Sequence, residues 1–354
     1  MSATRLAYIE TLRGLACLLL VSWHIVGEHP TDGLHLALDH PLRLIGDFFL
    51  PLRMPLFSFI SGYVFAAAAA SFGEAGRTIA TKARRLLLPL VFVGAAHFLL
   101  RSAAYGHDLA GLWKVYFTSY EHFWFLQATF LIMAGLALAN AAAGGRPLAV
   151  ALFAMAVAAP LYLIDWHLET NWFSITKVLY LAPFFLLGQI FRTANLEARI
   201  AALGPRRAWL LAGLGALIVA LVAMRQTGET FGARFDQYSA LMLALSLSLC
   251  AFFFALRWEN KWLAWLGPYS YAIYLFHVIF TAGFRFFEVR IMHEQSPYMI
   301  WALSMVVGVA APILVARALK RGPPILETLF LGVRYARNKP QPARAAAPSV
   351  ARAE

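Results

Sequence analysis

Apolar residues run along this chain in long blocks, and polar residues gather in the short breaks between them. Ten blocks can be cut out: 12–26, 44–70, 86–100, 123–139, 148–163, 178–191, 208–224, 239–256, 262–284 and 299–316. A helix rising 1.5 Å per residue needs about 20 residues to cross the hydrocarbon of a bilayer. The blocks cluster around that length, so the pattern predicts an all-α, polytopic transmembrane helix bundle of about ten helices. Block 44–70 contains Pro51 and Pro55, which predict a kinked or re-entrant start, since proline removes a helix hydrogen bond. Residues 1–337 read as one membrane domain. The remainder, 338–354, is rich in Pro and Ala and has no aromatic residue; it is expected to be a disordered cytoplasmic tail.

Composition supports lipid rather than water as the solvent. Of 354 residues, 61% are hydrophobic and only 14% charged, with a mean hydropathy of +0.66. Soluble domains carry about a quarter charged residues. The net charge of +12 matters here through its placement rather than as a signal for nucleic acid, which is not expected as a partner. With the N-terminus placed inside, roughly two-thirds of the 30 Lys and Arg residues fall on the inner side. This predicts N-in, C-in topology and an even number of helices. Residues 1–12 carry Arg5 and Glu10 and no apolar core, so the first block reads as a retained helix, not a cleaved signal. Cys17 and Cys250 lie inside apolar blocks and read as small core residues; no disulfide framework or metal set is expected. The halves show no internal repeat, which disfavours a transporter built from duplicated units.

The sharpest chemical feature lies in the first block, Glu10-Thr-Leu-Arg13-Gly-Leu-Ala-Cys-Leu-Leu-Leu-Val-Ser-Trp-His24. Arg13 and His24 are separated by close to three helical turns, so they share one face, roughly 16 Å apart along the axis. Glu10 stands three residues before Arg13, within reach of an ion pair. An ionisable group at the depth of His24 usually faces a cavity or a partner. Spacing alone leaves two readings open, a packed histidine with a snorkelling arginine or a pair that does chemistry, and the first is slightly the better supported.

Five further stretches tip that balance. They are Met54–Phe65 (MPLFSFISGYVF), Lys82-Ala-Arg84-Arg85-Leu-Leu-Leu-Pro89, His122-Phe-Trp124-Phe-Leu126, Leu181-Ala-Pro-Phe-Phe-Leu-Leu-Gly188 and Gly267-Pro-Tyr-Ser-Tyr-Ala-Ile-Tyr274-Leu-Phe-His277. Together with the first block, whose Arg, ten residues, then His is a family signature, the chain resembles the integral-membrane acyltransferase-3 family over about residues 8–320. Two positions depart from the family pattern. Glu10 replaces the common Asp, and Arg53 stands where close relatives often carry His, so no neutral proton acceptor stands there. No hydrolase-like domain follows the tenth block, which implies a stand-alone acyltransferase.

The resemblance implies an enzyme of the cell (inner) membrane that moves an acetyl, succinyl or similar group from acyl-CoA to a carbohydrate hydroxyl. Acyl-CoA would be a cosubstrate, with no tightly bound cofactor and no metal. Membrane lipids and a cell-envelope glycan would be its partners, while oligomeric state is left open. His24 and Arg13 are then the expected catalytic pair. His24, whose unperturbed pKa of about 6.5 lies near working pH, would act as general base or be acylated transiently. Arg13, Lys82, Arg84 and Arg85 would grip the phosphates of the donor, a task suited to guanidinium groups. Glu10 supports Arg13, and His122, Trp124, Tyr274 and His277 are candidates for substrate contact. No G-x-S-x-G elbow surrounds Ser61, which is given no nucleophile role; Ser61 and Gly62 are expected to allow close helix approach. The alternative function is a polytopic transporter of a polar solute or glycan.

Overall fold

A computed structural model describes residues 6–335 apart from 30–31, 66–68, 107, 231–236 and 291–295. The expected tail, 338–354, lies outside the described residues. Each apolar block folds as helix. In chain order the helices are α1 (Ala7–Val26), α2 (Pro41–Phe48), α3 (Leu50–Val64), α4 (Phe72–Pro89), α5 (Ala95–Tyr105), α6 (Lys114–Phe117), α7 (Trp124–Ala142), α8 (Pro147–Tyr162), α9 (Ile175–Thr193), α10 (Leu196–Ala202), α11 (Arg207–Thr230), α12 (Ala240–Leu256), α13 (Lys261–Leu266), α14 (Ser270–Arg290), α15 (Pro297–Arg321) and α16 (Pro324–Leu331). Among the described residues seven continuous helical stretches are long and apolar enough to cross a membrane, and the bent pair α2–α3 makes an eighth. The apolar helices α8 and α12 are shorter, at 16 and 17 residues. The protein is an all-helical, polytopic membrane bundle.

Three segments depart from the sequence-based boundaries, each for a local reason. Block 44–70 is two helices bent by 42°. The break falls at Phe49, and Pro51 sits in the first turn of α3, where its missing N–H costs nothing. The third block was expected to begin at residue 86, yet α4 starts at Phe72. Its N-terminus is capped: Ser71 accepts from the Glu74 N–H at 3.3 Å and Glu74 accepts from the Ala70 N–H at 2.8 Å, a variant of the reciprocal Ser-x-x-Glu cap. The basic run Lys82, Arg84 and Arg85 is therefore helical. Pro89 interrupts the hydrogen-bond ladder, and residues Leu90–Gly94 pass through a π-turn before α5 resumes the helix. The block 262–284 is broken at Gly267-Pro268, where a 3-10 turn joins α13 to α14.

Helix α1 is central and packs against α2, α3, α12, α13, α14 and α15. It presses closely on the chain before α14: a Cβ at Gly14 would lie 2.2 Å from the Leu263 carbonyl oxygen, and one at Gly267 would lie 2.3 Å from the Glu10 carboxylate. Cys17 then meets the Ser270 carbonyl at 3.9 Å, and the Ile25 carbonyl accepts from Arg285 at 3.5 Å. Helices α1 and α14 thus run side by side in the same direction. Helix α15 returns the other way, with Trp301 donating to Ser22 at 3.0 Å and Ser304 donating to Glu288 at 3.0 Å.

Beyond α1 the chain is latched by Arg43, which is 1% exposed. Its guanidinium donates to the carbonyls of Leu36 (3.3 Å), Gly27 (3.1 Å), Glu28 (3.1 Å) and His29 (3.0 Å). Charge-assisted bonds of this kind are about twice as strong as neutral ones. Replacing Arg43 by Met, which keeps the stem and removes the four hydrogen bonds, is expected to cost about 3 kcal/mol and to lower the thermal midpoint in detergent by several degrees. An unchanged midpoint would show that the latch does not bear on stability.

Candidate active site

The site is built by four elements that bring histidines together inside the bundle. His24 comes from the last turn of α1, His277 from α14, His122 from the turn before α7 and His97 from α5. Ring centroids lie 5.0 Å apart for His24 and His277, 5.1 Å for His122 and His277, 5.9 Å for His24 and His122, and 5.7 Å for His97 and His122. His122 and His277 are 4% and 0% exposed, whereas His24 is half-buried. Of these three, His24 is the residue least covered by the rest of the chain.

Neighbouring groups hold the cluster in place. His277 Nδ1 lies 2.9 Å from both the Ile273 and Tyr274 carbonyl oxygens of its own helix. The Tyr274 hydroxyl donates to the His122 carbonyl, and its ring meets the His122 ring edge-on at 5.6 Å. The Tyr274 hydroxyl thereby ties α14 to the turn that carries His122. His97 Nδ1 lies 3.1 Å from the Tyr120 hydroxyl, and Phe123 covers His122 at 4.0 Å. Nε2 of His277 is buried without a hydrogen-bond partner, an arrangement that costs about 1–3 kcal/mol in a folded core. Arg53 adds a cation. It is 6% exposed, stacks 3.9 Å over Trp23 and lies within electrostatic reach of His24, and its Nη1 has no partner.

At the other end of α1, Arg13 donates to Glu10 at 3.0 Å, the expected ion pair. Glu10 abuts the Gly267 turn, and the same turn gathers more cations. Arg85 stacks 4.7 Å over Tyr271, whose hydroxyl donates to the Arg85 carbonyl. Arg317 and Lys320 of α15 lie 5.5 and 5.7 Å from the Tyr269 ring. Arg13, Arg85, Arg317 and Lys320 therefore ring one turn, Gly267–Tyr271. Lys82 stands one turn before Arg85, 5.4 Å over Phe65, and Arg84 has its Nε buried.

Sequence reading did not single out His97, Arg317 or Lys320. His97 had a signal, an ionisable residue inside an apolar block; Arg317 and Lys320 had none beyond their sign, because only the return of α15 brings them to the turn. The Trp124 ring lies 5.6 Å from Lys177 and 6.0 Å from the Phe125 ring. Among the described residues no group of three or more His, Cys, Asp or Glu is placed to hold a metal ion.

Buried imidazoles in the middle of a polytopic bundle, with a cationic turn at the other end of α1, mark the candidate functional site of a membrane protein. The comparison with known families gives the class its name. A family model for an acyltransferase domain matches residues 6–317, nearly the whole chain, and the chain belongs to the acyltransferase-3 family. No curated protein and no solved structure matches it. It is a multi-pass membrane acyltransferase.

Proposed function

We propose that the enzyme transfers an acyl group from acyl-CoA to a hydroxyl of a carbohydrate of the cell envelope, with His24 as general base. The observation that carries this reading is the pairing of a half-buried histidine with the cationic turn at the opposite end of the same helix. The turn suits the nucleotide phosphates of CoA, which arginines bind through paired N–H groups. The roughly 16 Å from Arg13 to His24 along α1 suits an extended pantetheine arm carrying the thioester inward. Placing that turn at the cytoplasmic face of an inner membrane agrees with the side from which acyl-CoA is supplied and with the charge bias of the sequence.

In this reading His24 takes the proton of the acceptor hydroxyl as its oxygen attacks the thioester carbonyl. The tetrahedral oxyanion collapses, the C–S bond breaks and the proton passes from His24 to the leaving thiolate. Arg53, with Nη1 free, is the donor best placed to neutralise the oxyanion. The test is transfer of labelled acetyl or succinyl from acyl-CoA to a panel of sugars by the purified full-length chain in nanodiscs. Solute flux across vesicles without loss of acyl from CoA would sink the reading and favour a transporter.

The donor rim makes its own prediction. Arg85→Ala and Arg317→Ala are each expected to raise KM for acyl-CoA about tenfold, the loss of one charge-assisted contact of roughly 1.4 kcal/mol, with kcat little changed. A lowered kcat at constant KM would place these residues outside the donor site.

A further inference from the structure

Helix α12 packs against both α3 and α11, and a cleft remains between those two helices along its flank. The cavity measures about 170 Å³, and an apolar cavity of roughly 150 Å³ already admits a molecule the size of benzene. Its walls are apolar: Leu52 of α3, Ile218 and Val222 of α11, and Leu245, Leu249 and Phe253 of α12. Leu52 and Leu245 are buried and form the floor. Phe48, at the α2–α3 break, and Gln226 also line the cavity and are exposed, so they mark its mouth. Beside Gln226 stands Arg225, half-buried. It is the one charged residue of the lining, and no carboxylate lines the cavity among the described residues. The cleft is thus a hydrocarbon slot with a cation at its entrance.

We infer that this cleft seats one acyl chain of an anionic phospholipid, with the phosphate at Arg225. The polar end and the apolar walls follow one another along α11, where seven residues, or about 10 Å of helix, separate Ile218 from Arg225. A chain lying along the helix with its headgroup at one end fits that order. A sugar or another polar solute does not, because its hydroxyls would face apolar walls unpaired. A guanidinium holds a phosphate through two parallel N–H groups. A choline headgroup would bring a second cation to the same mouth, so a lipid with net negative charge is favoured. Helix α11 keeps nearly all of its apolar surface outside the bundle, so a lipid chain enters from the bilayer without crossing protein. The seated chain packs on the first turn of α3. That turn ends in Arg53, the cation stacked over Trp23.

The site stands apart from the acyl-transfer reading, and its test needs no turnover. The probe is phosphatidylglycerol carrying a diazirine far along one acyl chain, added to the purified full-length chain in detergent micelles. After illumination, peptide mass spectrometry is expected to place the label on Ile218, Leu249 or Phe253. The matching phosphatidylcholine probe should label these positions about tenfold less, the ratio that corresponds to one charge-assisted contact. Arg225→Gln, which keeps the walls and removes the charge, should bring the two probes to the same low yield. Leu249→Trp fills the slot and should abolish label at Ile218 and Phe253 while label elsewhere on the chain is unchanged. If that variant does not fold, Arg225→Gln decides alone. Equal labelling by the two probes in the unsubstituted chain, undiminished labelling by phosphatidylglycerol in Arg225→Gln, or label confined to other surfaces would each overturn the inference. Absence of label in the slot, with detergent alone filling it, would do the same.

Discussion

His24→Ala is expected to lower the rate of acyl transfer by a factor of about 10³, within the range of 10²–10⁴ that a positioned general base contributes. The loss should fall on kcat. Arg13, Arg85, Arg317 and Lys320 sit around the Gly267–Tyr271 turn, some three helical turns of α1 away, and nothing in the substitution disturbs them. Donor affinity should therefore change less than about twofold, which distinguishes lost chemistry from lost binding. His24 is half-buried and its neighbours His122 and His277 close the other sides of its ring. Alanine at this place leaves space that water can enter, without burying a new polar group. The variant should fold, and protein level in the membrane serves as the control. Transfer at the unsubstituted rate by folded His24→Ala would remove His24 from the mechanism.

A second large effect is expected far from the histidines. Helices α3 and α9 cross through two glycines that exchange backbone contact. A Cβ at Gly62 would lie 1.9 Å from the Phe185 carbonyl oxygen, and a Cβ at Gly188 would lie 2.0 Å from the Phe59 carbonyl oxygen. Both contacts are to backbone, which does not swing aside. Ser58 adds a hydrogen bond to the Leu181 carbonyl at 3.0 Å across the same crossing. By helix propensity alone Gly62→Ala would stabilise α3 by about 1 kcal/mol. The crossing reverses that sign, because the helices must separate: forced overpacking costs about 1–3 kcal/mol and occasionally more. We expect Gly62→Ala to lower the thermal midpoint in detergent by roughly 5 °C or more, and Gly188→Ala to do the same. Gly135→Ala in α7, where an added Cβ meets nothing within 4 Å, should be neutral or slightly stabilising. Equal midpoints for Gly62→Ala and Gly135→Ala would be incompatible with a backbone crossing. Because α3 also carries Arg53, the crossing supports the cation beside His24 as well as the fold.

The fold was legible in the hydrophobic pattern because lipid demands it. A chain crossing hydrocarbon must satisfy its backbone within each segment, so each apolar block could only be helix, and each is. The ends of the blocks were less legible. Ser71 and Glu74 form a local cap that extends α4 fourteen residues ahead of the apolar run, and hydropathy does not register a polar but capped helix turn. The close approach expected at Gly62 is present, whereas its partner Gly188 lies more than a hundred residues away, at a distance no local pattern carries.

The candidate site divides in the same way. The sequence by itself determined that Arg13 and His24 share a face and that Glu10 reaches Arg13, because both follow from the pitch of one helix. It also marked His122 and His277 through their motifs. Tertiary structure alone decided that His24, His97, His122 and His277 meet, that the Tyr274 hydroxyl donates to the His122 carbonyl, and that Arg317 and Lys320 join Arg85 around one turn. The physical reason is range. Helix periodicity fixes direction within about ten residues, but the meeting of α1, α5, α7, α14 and α15 depends on which small residues let their backbones touch.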